Sequence, residues 1–178
     1  ALSKDYDVIV MDIMMPKRDG FSAIREIKKE TGKYPYKYIT IDNATRLEEM
    51  CMSFAIQLYK ATPMGKKYEG TDLRTLPNGS GYLYIRQAVR KVIDMFRGLC
   101  DNFILIGHTK DKLINKNGEE MAEMSLDLVG ALANIICGEA DAVGYVYRKK
   151  NETHISFEGG DNSVIEARAP HLRGKNIV

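Results

Sequence analysis

Short apolar runs alternate with stretches of helical period along most of this chain, and that alternation predicts an α/β protein. Tyr6–Ile13 reads as a buried strand, and Asp19-Gly20-Phe21 leads into a helix with Phe21, Ile24 and Ile27 on one face, ended by Gly32 and Pro35. Tyr36–Asn43 is a second short strand. A helix follows over about Ala44–Lys60, where Leu47, Met50, Cys51, Phe54 and Leu58 share a face. The stretch Ala61–Gly81 holds Pro63, Gly65, Gly70, Pro77, Asn78, Gly79 and Gly81, too many breakers for regular structure, so it reads as a long loop, functional or disordered. Tyr82–Leu99 then forms an amphipathic helix with Ile85, Val89, Val92, Ile93 and Phe96 inward, and Asn102–Thr109 is a third apolar strand. Asn117-Gly118 marks a hairpin turn within Leu113–Glu120. Leu126–Gly138 reads as a helix, Ala142–Tyr147 and Thr153–Phe157 as a second hairpin, and Ala169–Val178 as an irregular basic tail.

Two of the strands end in polar residues. Ile39-Thr40-Ile41-Asp42-Asn43 delivers a carboxylate to a strand's C-terminal end just before a helix, where ligands bind in open α/β sheets and where an Asp can reach a nucleotide-bound Mg²⁺. The same residues also suit a helix N-cap, and both readings stand at this point. Ile104-Leu105-Ile106-Gly107-His108-Thr109 ends likewise, with His108 either a ligand-sensing residue or a strand-closing histidine satisfied by backbone.

Composition narrows the class without naming a function. The 178 residues suffice for one domain with a real core, and 44% hydrophobic with 28% charged residues fits a globular protein. Lys plus Arg number 26 against 24 Asp plus Glu, so the net charge of +2 supplies no global field for nucleic acid, and any such contact must come from local patches. No run is long and apolar enough to span a bilayer and no signal peptide is visible, which leads us to expect a cytoplasmic protein without membrane contact. Cys51, Cys100 and Cys137 sit singly in apolar helical patterns, as reduced core thiols do. The histidines His108, His154 and His171 share no metal-ligand spacing with them.

The order of several blocks is more specific than any of them alone. Ile39-Thr40-Ile41-Asp42-Asn43-Ala44, Thr62-Pro63-Met64-Gly65-Lys66, Leu76-Pro77-Asn78-Gly79-Ser80-Gly81-Tyr82, Ile106-Gly107-His108-Thr109-Lys110-Asp111-Lys112 and Ala140-Asp141-Ala142-Val143-Gly144-Tyr145 together resemble the phage-encoded AAA-type, RecA-like NTP-binding proteins over about residues 36–178. That resemblance implies a three-layer RecA-like P-loop NTPase sheet, mostly parallel, with a C-terminal antiparallel hairpin, as a single nucleotide-binding domain. It implies ATP and Mg²⁺ as cofactors, work in DNA recombination or replication, and single-stranded DNA and further copies of the chain as partners. Asp42 matches the Walker B carboxylate that orders Mg²⁺. His108 matches the γ-phosphate sensor, next to Thr109 in the nucleotide site, with Lys110 and Lys112 as phosphate or DNA contacts.

One departure from the family pattern dominates. No Gly-x-x-x-x-Gly-Lys-Ser/Thr is present: Gly65-Lys66-Lys67 and Gly174-Lys175-Asn176 both lack the earlier glycine and the hydroxyl. In the family this loop precedes the Walker B strand, so the resemblance implies a loop upstream of Ala1 and an ATPase that is inactive as the chain stands. The N-terminus carries a competing signal. Tyr6-Asp7-Val8-Ile9-Val10-Met11-Asp12-Ile13-Met14-Met15-Pro16-Lys17-Arg18-Asp19-Gly20-Phe21 resembles the phosphoacceptor segment of a response-regulator receiver, with Asp12 at the phosphorylated position. The acidic pair that would complete a receiver's metal site is absent, and nothing after about Met50 continues the likeness.

The loop over 62–82 mixes Lys66, Lys67 and Arg74 with Tyr68 and Tyr82, as single-strand channels do, and suits an oligomer contact or a mobile surface loop equally well. Arg148, Lys149 and Lys150 form a hairpin tip, either solvated or reaching a neighbour's nucleotide. Arg168, His171, Arg173 and Lys175 form a basic cluster that suits DNA or an ordinary tail. Glu48 and Glu49 read as a solvated helix face. The leading expectation is thus an ATP-linked protein acting on DNA. A receiver phosphorylated on Asp12 and a non-catalytic interaction domain are the alternatives.

Overall fold

The computed structural model describes residues 8–10, 36–116, 119–160 and 163–178. Asp12, the helix expected from Phe21 and the Asn117-Gly118 turn lie outside the described residues. The chain divides into two compact units, Ala1–Gly107 and His108–Val178, and each is described by itself.

The first unit is built on a parallel sheet of order β1-β2-β3, with β1 at Val8–Val10, β2 at Tyr36–Asp42 and β3 at Cys100–Ile106. Register runs from Tyr36 opposite Cys100 to Asp42 opposite Ile106, so β2 and β3 end level with each other. The connection from β2 to β3 is helical. Helices α1 (Ala44–Met50) and α2 (Met52–Lys60) are nearly one helix, since Cys51 keeps right-handed dihedrals and its N–H still bonds to the Leu47 carbonyl at 3.0 Å. Leu47, Cys51 and Ala55, each four residues apart, form its buried stripe. Helix α3 (Gly81–Arg97) buries Ile85, Ala88, Val89, Val92, Ile93 and Phe96, the spacing that its sequence predicts. Phe96 stacks on Phe103 of β3, 6.3 Å between centroids, which seats α3 on one sheet face. On the other face Ile104 and Ile106 remain 45% exposed, so the described strands are not buried on both sides as expected.

The second unit is antiparallel throughout its named strands. A long ribbon pairs β4 (Thr109–Lys116) with β5 (Glu119–Leu126), and α4 (Leu132–Glu139) follows. Short strands β6 (Ala142–Val143) and β9 (Glu166–Ala167) pair. A three-stranded sheet of order β10-β8-β7 joins Tyr145–Lys149 (β7), Glu152–Ser156 (β8) and Asn176–Ile177 (β10). The expected C-terminal hairpin is therefore present as β7–β8. A mostly parallel order holds only in the first unit.

Two element readings need correction. The helix expected from Leu126 starts six residues later, because Leu126 is held in the ribbon opposite Thr109 and Gly130 adopts φ +54°, a conformation that no helix interior accepts. The tail expected to be irregular supplies β10. Cys100 lies in β3 rather than in a helix, and all three cysteines are free thiols.

Candidate functional site

At the end of β2 the structure assigns the helix cap. Asn43, not Asp42, is the N-cap of α1: its backbone is extended and its Oδ1 accepts the Arg46 N–H at 2.9 Å. Asp42 is thereby spared the capping role and stands exposed at the carboxyl edge of the parallel sheet, level with Ile106. An Arg46–Glu49 ion pair lies one turn along on the solvent side of α1. Glu48, expected on that solvated face, is instead only 4% exposed. Its carboxylate reinforces the burial that pushes the Cys51 thiol up to about 12, and its charge and that of Glu49 add to the hold on Arg74.

That last interaction shows how the long loop is seated. Residues 61–80 form a largely exposed excursion anchored where Gly65 and Leu73 are buried. Leu73 is 0% exposed, and it opens a one-turn 3₁₀ segment, Leu73–Thr75, capped by the Asp72 carboxylate. Tyr59 meets Tyr68 edge-on at 5.4 Å and Tyr84 at 5.0 Å, while the Tyr68 hydroxyl donates to the Asp72 carbonyl at 2.8 Å. Gly81 is required here. A Cβ on it would stand 1.8 Å from the Leu73 carbonyl oxygen.

The cations expected to contact DNA separate into two groups. Arg74 is gripped by Asp72, Nε at 2.9 and 3.0 Å from the two carboxylate oxygens and a terminal nitrogen at 2.8 Å. Hydrogen bonding from Arg74 holds the Asp72 carboxyl below its usual range. Lys110 donates to the Leu128 carbonyl at 2.7 Å and lies 3.0 Å from Asp127, which fixes the segment after β5. Lys66, Lys67 and Lys112 are exposed. In the C-terminal cluster, Arg168 donates to the Gly138 carbonyl at the end of α4, and Arg173 donates to the Ala167 and Arg168 carbonyls at 3.2 Å each. Both arginines thus clamp backbone.

His108 opens the second unit, exposed, with its carbonyl accepting the Asp127 N–H at 2.8 Å; Thr109 begins β4. Asp42 belongs to the first unit. A cavity of about 210 Å³ in the second unit, lined among others by Glu123, Asn134, Cys137, Asp141, Glu166 and Arg168, had no sequence signal, because its walls come from three separated stretches of chain.

Whether these residues suit ATP·Mg²⁺ depends on two halves of such a site. The metal half fits: Mg²⁺ takes one or two carboxylates and completes its shell with phosphates and water, and the exposed strand-end Asp42 would supply such a carboxylate. The phosphate half does not. A cradle needs successive backbone N–H groups of a glycine-rich turn plus Lys and a hydroxyl, and the sequence contains no such motif. No hydrolytic step is therefore assigned to these residues. Among the described residues no three His, Cys, Asp or Glu side chains are grouped to hold a metal on their own, and no helix is long and apolar enough to cross a membrane.

In open α/β sheets ligands bind outside the carboxyl ends of the strands, the edge at which Asp42 stands exposed. The family model of an AAA domain matches residues 4–176, and the chain belongs to that AAA-type P-loop family. Membership supports an ATPase-like function in general terms, in a family that binds ATP with Mg²⁺. Among curated proteins, the response regulator SaeR of Staphylococcus aureus strains USA300, NCTC 8325 / PS 47 and COL is 41% identical over 39 residues, 22% of this chain. The chain spans 17% of the length of those relatives. No solved structure matches it.

Proposed function

We propose that this chain is a phage-encoded, RecA-like member of the AAA family that links ATP to DNA recombination or replication, with Asp42 as its Mg²⁺-ordering carboxylate. The observation that carries this reading is the transfer of the cap to Asn43, which leaves Asp42 exposed at the sheet edge. His108 serves as the γ-phosphate sensor with Thr109 beside it, the sheet belongs to a three-layer RecA-like core, and the partners are single-stranded DNA and further copies of the chain, in the cytoplasm of a bacterial host. Lys66, Lys67 and Lys112 are the cations of the predicted set best placed for DNA, since Arg74 and Lys110 are compensated internally. The test is binding of a fluorescent oligothymidylate to the chain with and without ATP·Mg²⁺. Binding that responds to the nucleotide in the wild type and not in Asp42→Asn supports the reading, and equal behaviour of the two proteins refutes the role of Asp42.

The short likeness to SaeR favours a second reading, a receiver-like segment phosphorylated on Asp12, which lies outside the described residues. Incubation with a small-molecule phosphodonor and Mg²⁺ tests it: a phosphoaspartate absent in Asp12→Asn supports a receiver, and no modification removes it.

A further inference from the structure

The sheet β10-β8-β7 presents two unlike faces. One carries Tyr145, Tyr147 and His154, whose rings stack at 5.6 and 5.1 Å, with Asn176 donating to the Tyr147 hydroxyl at 2.8 Å. That face is partly closed by its own stacking. The opposite face carries a row of apolar side chains directly across the strands, Val146 beside Ile155 beside Ile177, at 60%, 37% and 45% exposure.

Charge brackets this row on both sides. By strand alternation Arg148 shares the face of Val146 toward the hairpin tip, and Lys175 immediately precedes β10, on the side of the row away from the tip. Both are exposed. Lys150 and Asn151, at φ +48° and +67°, form the tight turn that raises the tip, adding a further cation there. The nearby carboxylate, Glu152, pairs in register with Lys149 on the opposite face. The apolar row is thus flanked by positive charge with no acid among the described register positions of its own face.

We infer that this outer face of β7, β8 and β10 is a docking strip for single-stranded nucleic acid, with Arg148 and Lys175 on phosphates and Val146, Ile155 and Ile177 against sugars and bases. The inference rests on the DNA-linked reading above and places its contact on a sheet rather than on the 61–80 loop. Two observations choose this occupant. The flanking charge is complementary to a polyanion, as in the positively charged grooves that track a single strand's backbone. The row crosses only three strands, about 10 Å at the usual strand spacing, which suits a narrow extended chain better than a globular partner needing about 800 Å² per side.

The experiment is fluorescence anisotropy of a labelled oligothymidylate with the full chain across a salt series. An Arg148→Gln/Lys175→Gln variant is expected to bind more weakly, with the slope of log affinity against log salt reduced by about 1.4, about 0.7 for each phosphate no longer neutralised. A Val146→Thr/Ile155→Thr variant, which keeps β-branched shape, is expected to lose affinity with its salt slope unchanged. Circular dichroism identical to wild type in both variants separates a binding defect from a folding defect. Wild-type affinity and slope in the charge variant, together with lost binding in Lys66→Gln/Lys67→Gln, overturn the sheet inference and leave the DNA reading standing. No oligonucleotide binding by the wild type, with the strip instead driving self-association or adsorption to anionic vesicles, overturns both.

Discussion

Leu73→Ala is the perturbation that most sharply tests how the 61–80 excursion is held. Leu73 is fully buried although it sits in a breaker-rich segment, its N–H points to the Met52 sulfur at 3.5 Å, and its carbonyl lies against Gly81 at the start of α3. Truncation removes three buried carbons, and such changes cost about 2.7–5 kcal/mol where the surroundings cannot collapse. Collapse is restricted here. The backbone of Leu73 is fixed by the 3₁₀ turn and by the tight Gly81 approach, so we expect a loss near the middle of that range, about 3–4 kcal/mol. Guanidinium unfolding gives the global figure, and native-state hydrogen exchange of residues 62–80 shows whether the loss is local. A loss under about 1 kcal/mol, with exchange in the loop already fast in the wild type, would refute the claim that Leu73 anchors this segment.

Gly81→Ala should be comparably damaging despite adding one methyl, because the 1.8 Å approach to the Leu73 carbonyl forces backbone to move; soluble wild-type-like Gly81→Ala with an unchanged melting temperature contradicts this. Asp72→Asn keeps the Oδ1 cap of Arg74 N–H but releases the guanidinium; with the strand held on the β7-β8-β10 sheet, oligothymidylate affinity and salt slope should stay at their wild-type values, and a slope steeper by about 0.7 would place the contact on the 61–80 loop instead. The Cys51 thiol, raised from 9.0 to about 12, should resist alkylation in the native state. Because its folded pKa is the higher one, the native state holds the proton longer, so the stability linked to Cys51 is whole below pH 9 and is lost progressively between about 9 and 12. A Cys51→Ala variant should flatten that alkaline decline, and an identical decline in the variant contradicts the assignment.

The parts of this fold that were legible in sequence are those set by short-range pattern. The stripe Ile85, Val89, Val92, Ile93, Phe96 predicts its helix and its buried face, and both match. The strands around Ile39–Ile41 and Phe103–Ile106 are likewise found, as neighbours in a parallel sheet. What pattern could not reveal depended on partners far along the chain. Glu119–Leu126 is rich in helix formers, yet pairing with Thr109–Lys116 makes it a strand and moves the next helix start past Gly130. Glu48 reads as one more charge on a helix surface, yet it is buried and its charge acts on Arg74, far along the chain.

The candidate site divides along the same line. That Asp42 ends a strand before a helix is a local fact and was readable; that Asn43 takes the cap, leaving Asp42 exposed, depends on backbone geometry that the residue types do not fix. Charge neutralisation was invisible for Lys110, whose partners Asp127 and Leu128 lie 17 and 18 residues on, across the ribbon. Arg74 and Asp72 are near in sequence, but spacing alone does not distinguish a paired cation from a solvated one.

Amide NMR of the chain titrated with ATP·Mn²⁺ decides whether Asp42 is a metal carboxylate at a nucleotide-binding sheet edge. Paramagnetic broadening reports weak binding even where a phosphate cradle is lacking. Selective broadening of the amides around Asp42 and Asn43, dependent on ATP and abolished by Asp42→Asn, is the expected result. Broadening spread evenly over surface carboxylates, or unchanged in Asp42→Asn, would contradict it.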